Sequence, residues 1–202
     1  MSRVLAAEHR RAIVAATIRL MQREGVAAAS TRRVAAEAGV AQATIHYVFG
    51  TKTELYRAVL ETASENLVRA VEAGLAPHPH WTEDAAVASG AVWDIVASDT
   101  STALLLVELT TTALRDPDLR DLADGLYDSY HHIAENAVRT IIERSDRELR
   151  VSVEEVARLA VGGLNGIVLS FLVHRDDDRA RRDIENLAYA LIAVAVGPVS
   201  VT

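Results

Sequence analysis

The sequence predicts an all-α protein, with three helices in residues 1–52 and six helices in residues 53–202. Half of the 202 residues are apolar, whereas Gly and Pro account for only 10 and 4 of them. Ala, Leu and Arg are abundant, and all three are strong helix formers. Short clusters rich in Pro or in charge separate the apolar stretches at the intervals expected of helices and their loops. We therefore expect a bundle of helices.

The segment Thr31 to Lys52, TRRVAAEAGVAQATIHYVFGTK, predicts two short helices joined by a glycine turn. The first helix spans Thr31 to Ala38, and Gly39 suits the left-handed backbone that ends a helix. The second helix spans roughly Gln42 to Val48. Two helices joined by a turn of about three to four residues containing Gly form a helix-turn-helix, whose second helix enters the major groove of DNA. A plain helical hairpin is the alternative.

The two faces of the second helix differ in a way that suits DNA binding. Ile45 and Phe49 lie four residues apart and are expected to pack into the core. The other face carries Gln42, Ala43, His46 and Tyr47. A Gln amide can pair with adenine, and small side chains contact the thymine methyl group. His and Tyr can hydrogen-bond phosphate oxygens, and Lys52 opens the next helix, where backbone N–H groups also attract a phosphate.

These residues resemble the DNA-binding domain of the tetracycline-repressor (TetR) family of bacterial transcriptional regulators. The matching residues are Thr31, Val34, Ala35, Ala38, Gly39, Val40, Thr44, Ile45, Tyr47, Phe49, Lys52 and Leu55. A Gly25-Val26 pair that closes a preceding amphipathic helix is also typical of the family. The resemblance implies a three-helix DNA head, a larger all-helical body that binds a ligand, and a two-fold dimer.

The resemblance also implies which side chains meet DNA, with Gln42, Ala43 and Thr44 near bases and others near phosphates. The full predicted set is Thr31, Arg32, Gln42, Ala43, Thr44, His46, Tyr47 and Lys52. Two positions depart from the family pattern. Ala41 stands where Ser or Thr is usual, which removes a side-chain N-cap worth about 1 kcal/mol. His46 and Tyr47 also reverse the usual order of these two residue types.

Charge is divided unevenly along the chain. Residues 1–52 contain eight Lys and Arg against three Asp and Glu, a net charge of +5. The remainder contains 13 basic and 25 acidic residues, a net charge of −12. DNA is therefore expected to be attracted by the head and repelled by the body.

Other residues exclude several classes of site. The chain has no Cys, so it has neither a disulfide nor a thiolate metal site. His78 and His80 lie in a Pro-rich loop, and His131 and His132 are adjacent on a helix with rings about 100° apart, so no metal site is predicted. Neither a nucleophile motif nor a Gly-rich phosphate loop is present. We expect no enzyme activity and no cofactor.

The apolar segments do not predict a membrane protein. The longest apolar run, Leu159 to Val173, is interrupted by three glycines and Asn165, and we expect it to be too short to span a bilayer. The N-terminal residues carry Glu8 and lack the apolar core of a signal peptide. The sequence therefore predicts a cytoplasmic protein.

Six helices are predicted in the body, and the loops between them have clear signals. Pro77 to His80 forms a loop, Asp116-Pro117-Asp118 breaks a helix, and the charged string Arg175 to Arg182 turns the chain. Ser152 and Glu155 form a capping box. The predicted helices are 53–75, 82–97, 101–115, 117–144, 152–173 and 184–196.

The last two helices are predicted to form the dimer surface. The first of them is apolar nearly all round, so both of its sides need a partner. One face is predicted to carry Ala157, Ala160, Val161, Leu164, Val168 and Leu172. The other face is predicted to carry Leu159, Gly163, Ile167, Ser170 and Phe171. Gly162, Gly163 and Gly166 allow close approach, and Ala188, Leu191, Ile192 and Ala195 are expected to be available on the last helix. Internal packing in a monomer is the alternative.

The effector site is predicted inside the body, following the resemblance. Its candidate residues are Trp93, Leu105, Glu108, Leu109, Thr112, Leu126, Tyr127, Tyr130 and Asn165. Apolar walls with a few polar groups suit a small, largely apolar molecule. Trp93 could equally be a core residue, and Glu108, in the apolar string LLLVELTTTAL, could be held by an Arg or Tyr because a buried carboxylate needs a hydrogen bond.

The sequence thus predicts a ligand-responsive, dimeric transcriptional regulator. We expect a repressor that binds an inverted-repeat operator in double-stranded DNA and leaves it when a small molecule binds. An activator, which needs its ligand in order to bind, differs only in the sign of this effect. The other alternative is an α-helical small-molecule-binding protein or enzyme with a vestigial DNA-binding head.

Overall fold

The computed structural model describes residues 3–74, 81–145 and 147–197. Within these ranges the chain is all-α, as predicted, with no strand. The predicted loop from Pro77 to His80 lies outside the described residues. The helices are α1 (Arg3–Glu24), α2 (Thr31–Ala38), α3 (Gln42–Phe49), α4 (Lys52–Gly74), α5 (Trp81–Ser98), α6 (Thr100–Arg115), α7 (Arg120–Glu143), α8 (Val153–His174) and α9 (Asp177–Val196), with short 3-10 turns at Val26–Ala28 and Pro117–Leu119.

The chain divides into two compact units. The head unit comprises Met1–Glu65 and Ser101–Leu126, and the body unit comprises Asn66–Thr100 and Tyr127–Thr202. The head unit therefore contains α6 as well as the N-terminal helices. The functional boundary predicted at residue 52 stays a prediction.

The head unit has its core where α1, α2, α3 and α4 meet. Fully buried side chains from all four helices form it, namely Ile13, Leu20, Met21, Val34, Ile45, Leu55 and Val59. Ser30 caps α2, because its Oγ accepts the N–H of Arg33 at 3.4 Å. A cap of this kind satisfies one of the unpaired N–H groups at a helix start, and it fixes where the helix-turn-helix begins.

The body unit is centred on Trp93, which is fully buried. Its ring meets Phe171 edge to face, with centroids 4.7 Å apart, and Ala180 and Ile184 complete the cluster. The indole N–H donates to Asp177 Oδ1 at 2.9 Å. Because a buried Trp normally needs a partner for this group, the contact joins α5 to the start of α9.

The predicted start of the last helix was wrong. The string Arg175 to Arg182 was expected to turn the chain, yet α9 already begins at Asp177. Asp176 caps it by accepting the N–H of Arg179 at 3.0 Å. Acidic residues in a first helical turn complement the helix dipole. Arg181 also pairs with Asp177 four residues earlier, at 2.8 Å, so a charged string that looked like a loop forms helix.

The faces assigned to the last two helices also need correction. Ala188, Ile192 and Ala195 were expected to be available, but they are 3 %, 8 % and 4 % exposed and pack within the chain. On α8, buried Phe171 and exposed Leu159 were assigned to one face, whereas Phe171 is buried like Ala157 and Val161. A Cβ on Gly163 would lie 2.6 Å from Leu187 Cδ1, so this glycine serves contact between α8 and α9 of one chain.

The charge-free apolar run Leu159 to Val173, which was expected to be too short to span a bilayer, lies within the longer helix α8. Among the described residues, α8 as a whole is long and apolar enough to cross a membrane, with a mean hydropathy of 1.8 over its best 18-residue window. Its glycines do not interrupt the helix. Only 22 % of that window is buried in the chain. Helices of this composition also occur as packed helices of soluble proteins, so the observation leaves a large apolar surface on α8 to be explained.

Candidate DNA interface and effector site

The turn between α2 and α3 has the predicted geometry. Gly39 adopts φ +67°, and its N–H bonds back to the carbonyl groups of Ala35 and Ala36. Ala41 is extended and makes no side-chain cap, as its residue type predicts. Both helix limits agree with the prediction to within one residue, because a left-handed glycine ends one helix and the extended Ala41 begins the next.

The exposed and buried faces of α3 are divided as predicted. Ile45 and Phe49 are 2 % and 6 % exposed and belong to the core. Tyr47 is 73 % exposed. Exposed positions also include Gln42, Ala43 and His46, while Thr44 is half-buried. The helix therefore presents a polar surface of small and amide-bearing side chains.

Gln42 is oriented by a contact across the turn. Its Nε2 donates to Thr31 Oγ1 at 3.0 Å, which joins the first residue of α3 to the first residue of α2. This hydrogen bond restricts the orientation of the Gln42 side chain, because its amide nitrogen is anchored to Thr31 on the neighbouring helix. Both residues belong to the predicted DNA-binding set.

The exit of α3 carries two cations held over aromatic rings. Gly50 follows Phe49 with φ +69°, and Thr51 caps α4 by accepting the N–H of Glu54 at 3.1 Å. The ammonium of Lys52 lies 4.8 Å from the centre of the Tyr56 ring. The guanidinium of Arg10 lies 4.8 Å from the centre of the Phe49 ring. Such stacking fixes a cation without neutralising it.

The basic side chains between residues 10 and 52 fall into two groups, of which the first is paired with carboxylates. Arg23 pairs with Glu24 at 3.0 Å and with Glu37 at 2.8 Å, Arg19 approaches Glu37 at 3.7 Å, and Arg33 also pairs with Glu24. Hydrogen bonds from Arg33 and then Arg23 hold the pKa of Glu24 below its usual value, and Arg23 does the same for Glu37.

The second group of basic side chains has no carboxylate partner within the described residues. Its members are Arg10, Arg11, Arg32 and Lys52. Arg32 and Arg33 are neighbours and both are exposed, yet only Arg33 is paired with a carboxylate. The net charge calculated from the sequence does not distinguish these two groups, because composition does not reveal which arginines form ion pairs between α1 and α2.

Five of the predicted effector residues lie in the head unit. Leu105, Leu109 and Leu126 are buried there, and Thr112 is half-buried. Glu108 accepts the backbone N–H of Val26 at 2.9 Å. The carboxylate was expected to need a partner and it has one, but that partner is a backbone amide and not the Arg or Tyr that we considered.

The other four predicted effector residues lie in the body unit. Trp93 is a core residue there, with its N–H already bonded. Tyr127 and Tyr130 have ring centres 5.9 Å apart, and Asn165 Nδ2 donates to the Tyr127 hydroxyl at 3.2 Å. Burial raises the pKa of the half-buried Tyr130, so its hydroxyl stays neutral at physiological pH. These three residues are brought together.

One member of this group was not predicted from the sequence. His131 has its ring 6.2 Å from that of Tyr127, four residues earlier on α7. The spacing alone was a signal, because side chains four apart share a helix face. We name Tyr127, Tyr130, His131 and Asn165 the tyrosine cluster. No three His, Asp or Glu side chains of the described chain are grouped so that they could hold a metal ion.

An apolar stripe remains exposed along α8. Leu159, Leu169 and Val173 are 50 %, 52 % and 68 % exposed. Gly162 and Gly166 lie between them, and a Cβ on either would meet nothing within 4 Å. The five residues follow one another at intervals of three and four, which places them on one side of the helix. On α9 the exposed apolar residues are Tyr189, Ala190, Ala193 and Val194.

Known proteins are similar to both parts of the chain. Residues 13–59 match the family of bacterial regulatory proteins of the tetR family. The chain is 26 % identical over 194 residues to the HTH-type nicotine-responsive transcriptional repressor HdnoR of Paenarthrobacter nicotinovorans, covering 94 % of this chain and 97 % of that protein.

Solved structures share the fold over nearly the whole chain. The multidrug binding protein EbrR complexed with imidazole is 28 % identical, with a TM-score of 0.68 over 96 % of this chain and 93 % of that one. EbrR complexed with ethidium is 29 % identical, with a TM-score of 0.65 over 89 % and 98 %. A putative TetR-family regulator from Mesorhizobium loti MAFF303099 shares the fold at 16 % identity, with a TM-score of 0.80 over 97 % and 100 %.

The helix-turn-helix, its exposed polar face and these similarities lead to one conclusion. Residues 13–59 match the DNA-binding part of the tetR family, and the similarities over the rest of the chain support a ligand-responsive, DNA-binding regulator of this type.

Proposed function

We propose that the protein is a dimeric repressor that binds an inverted-repeat operator and leaves it when a small nitrogen heterocycle binds in the body. The observation that carries this proposal is the exposed polar face of α3 within residues 1–52, which carry a net charge of +5, whereas the rest of the chain carries −12. A groove-reading helix needs an exposed polar face, and a net positive charge draws it to DNA. In keeping with its family, we assign the protein to the cytoplasm.

The proposed dimer forms through α8 and α9. The exposed stripe of α8 supports it, because contiguous apolar surface on a soluble protein marks an interaction site. A Cβ on Gly162 or Gly166 would meet no atom of the described residues within 4 Å, and small residues let two helix backbones come close. An isologous interface would pair each stripe with its copy and set two recognition helices about 34–36 Å apart, one turn of DNA.

The proposed DNA contacts use the basic side chains that have no carboxylate partner among the described residues. Gln42, Ala43 and Thr44 read bases, and Thr31, Arg32, His46, Tyr47 and Lys52 bind the backbone. Arg32 and Lys52 pair with no carboxylate in the part of the chain that the structure describes, so neither has to break such a pair in order to bind a phosphate. Arg33, in contrast, would have to break its pairing with Glu24. We therefore assign Arg33 to the stability of the head and not to DNA.

The tyrosine cluster is the proposed effector site. Two tyrosine rings and the His131 ring offer aromatic faces to a planar or cationic molecule, and the Asn165 amide supplies a polar group. HdnoR responds to nicotine, and EbrR was crystallised with imidazole and with ethidium. All three are nitrogen heterocycles, which is the class we propose for this chain. The predicted residues Leu105, Leu109 and Thr112 lie in the head unit and are not part of this cluster.

DNA binding is tested by fluorescence anisotropy with duplexes tiled across the region upstream of the gene. We expect one inverted repeat to bind tightly, with an affinity that falls steeply as salt rises. A protein that binds no duplex with salt-sensitive affinity would instead be a ligand-binding protein with a vestigial head. Binding that appears only after ligand is added would make it an activator.

Effector binding is tested by calorimetry of the DNA-free protein with nicotine and imidazole as probes and benzoate as the anionic control. We expect the heterocycles to bind and Tyr127→Ala to weaken them. Tyr47→Ala, which removes an exposed tyrosine from the head, is the matched control and should bind normally. Equal loss in both variants, or a preference for benzoate, would contradict the proposed site or class.

A further inference from the structure

Glu108 is the one carboxylate of α6, and the proposed function does not use it. It is half-buried between the buried Leu105 and Leu109, where an unpaired carboxylate would be costly. Its Oε2 accepts the N–H of Val26 at 2.9 Å. Gly25, with φ +83°, precedes this amide, and a Cβ there would lie 3.4 Å from the same oxygen. The backbone is thus shaped to bring the amide to the carboxylate.

Val26 also forms a hydrogen bond with α4. Its carbonyl oxygen accepts the hydroxyl of Tyr56 at 3.0 Å. Val26 and Tyr56 are only 4 % and 2 % exposed, so water cannot readily replace either hydrogen bond. Both main-chain groups of one residue are therefore held, one by α6 and the other by α4.

Tyr56 in turn holds Lys52. The Lys52 ammonium lies 4.8 Å from the centre of the Tyr56 ring, and the two residues are four apart on α4, so they share a face. Glu108, Val26, Tyr56 and Lys52 form an unbroken series of contacts inside the head unit. We call this series the Glu108 relay.

We infer that Glu108 is a positioning residue for DNA binding, which acts through Val26 and the Tyr56 ring on the ammonium of Lys52. A displacement of α6 then reaches a phosphate-binding cation without any contact between Glu108 and DNA. This inference rests on the proposed role of Lys52 as a phosphate ligand.

The first test needs no DNA, because Lys52 is the one lysine in the chain. Carbon-13 labelling of lysine gives a single set of side-chain ε signals by NMR, displaced by the ring current of Tyr56. Tyr56→Leu provides the undisplaced reference. We expect Glu108→Ala to move the signals toward that reference and Glu108→Gln, which keeps an acceptor oxygen, to leave most of the displacement.

The matched control is Glu61→Ala, which removes an equal charge from an exposed position of the same unit. It should leave the Lys52 signals in place. Tyr56→Phe keeps the ring and removes only the hydroxyl, so a partial displacement is expected even if Glu108→Ala does not fold. Lys52 signals that stay at the native position in both Glu108→Ala and Tyr56→Phe, each folded by circular dichroism, would overturn the inference.

The second test is a double-mutant cycle in DNA affinity, with Glu108→Ala and Lys52→Ala alone and combined. Each single variant should bind the inverted repeat about threefold to tenfold more weakly, with the salt slope lowered by up to about 0.9, as for one phosphate contact. The double variant should bind like Lys52→Ala alone. Independent, multiplicative losses would overturn the relay. If the unchanged protein binds no duplex, the proposed function fails, and the NMR test still decides the relay.

Discussion

The recognition helix α3 and the long helix α8 both expose one face, but the two faces are built from opposite residue types. The exposed face of α3 is polar and is flanked by cations that lack a carboxylate partner among the described residues. That of α8 consists of Leu, Val and Gly. The difference teaches that an exposed face is informative only through its residue types: the polar face suits the proposed contact with DNA, and the apolar face suits the proposed contact with a second copy of the chain.

The largest effect is expected from a charge placed in the α8 stripe. Leu169→Glu would bury a carboxylate in the proposed interface at a cost of about 3 kcal/mol or more. The dissociation constant of the dimer should therefore rise by about a hundredfold or more. Sedimentation velocity measures this directly, and binding to the inverted repeat should fall in parallel. Leu104→Glu alters a similarly exposed leucine of α6, which is 41 % exposed, and should remain dimeric. If both variants sediment like the native protein, α8 is not the interface.

An effect of intermediate size is expected from Gln42→Ala on the face of α3. Loss of a two-point contact to a base should cost about 1–3 kcal/mol at one position of each half-site and leave other positions unchanged. Competition with operators substituted one base pair at a time gives the preference at each position. An unaltered preference profile would remove Gln42 from the base-reading set.

A smaller effect should separate the neighbouring arginines of α2. Arg32→Ala should lower the salt slope of DNA binding by about 0.9, because one phosphate contact is lost. Arg33→Ala should leave the slope unchanged and slightly lower the melting temperature, because its partner is Glu24. Anisotropy titrations at several salt concentrations, with thermal melts of both variants, test this. Equal slopes for the two variants would contradict the sorting of charges.

The smallest effect concerns acid. Folding lowers the pKa of Glu24 and Glu37 from about 4.5, through their hydrogen bonds to arginine. Such groups contribute stability above pH 4.5 that is lost as the pH falls through their lowered values. The variant with Glu24→Gln and Glu37→Gln should therefore melt slightly lower than the native protein at pH 6 and equally at pH 3. A difference that grows toward pH 3 would reverse the sign.

Local signals allowed the helix-turn-helix to be predicted almost to the residue. Gly39 has the one backbone conformation that ends α2, and Ile45 and Phe49 mark the buried side of α3. The prediction of the start of α9 failed because no local signal marks it, since Asp176 acts as a cap only in the folded geometry. A run of charges looks the same in sequence whether it forms a loop or a first helical turn.

The body could be predicted less well because its contacts are long-range. Apolar periodicity identified α8 and α9 as packed helices, but it could not say which of their faces meets the same chain. The two sides of α8 are distinguished only by the folded structure. Gly163 contacts Leu187 of the same chain, whereas a Cβ on Gly162 or Gly166 would meet no described residue within 4 Å. Likewise, the sequence pointed to Glu108 as unusual without naming Val26, 82 residues earlier in the chain.

The uncapped start of α3 at Ala41 has a consequence in time. Helix ends without a capping side chain leave amide groups to water and open more often than capped ends. The amides of residues 42 to 44 should therefore exchange their hydrogens faster than those of α2, whose start is held by Ser30. The surface proposed to read bases should then open and close more often than the start of α2, and bound DNA should slow this exchange.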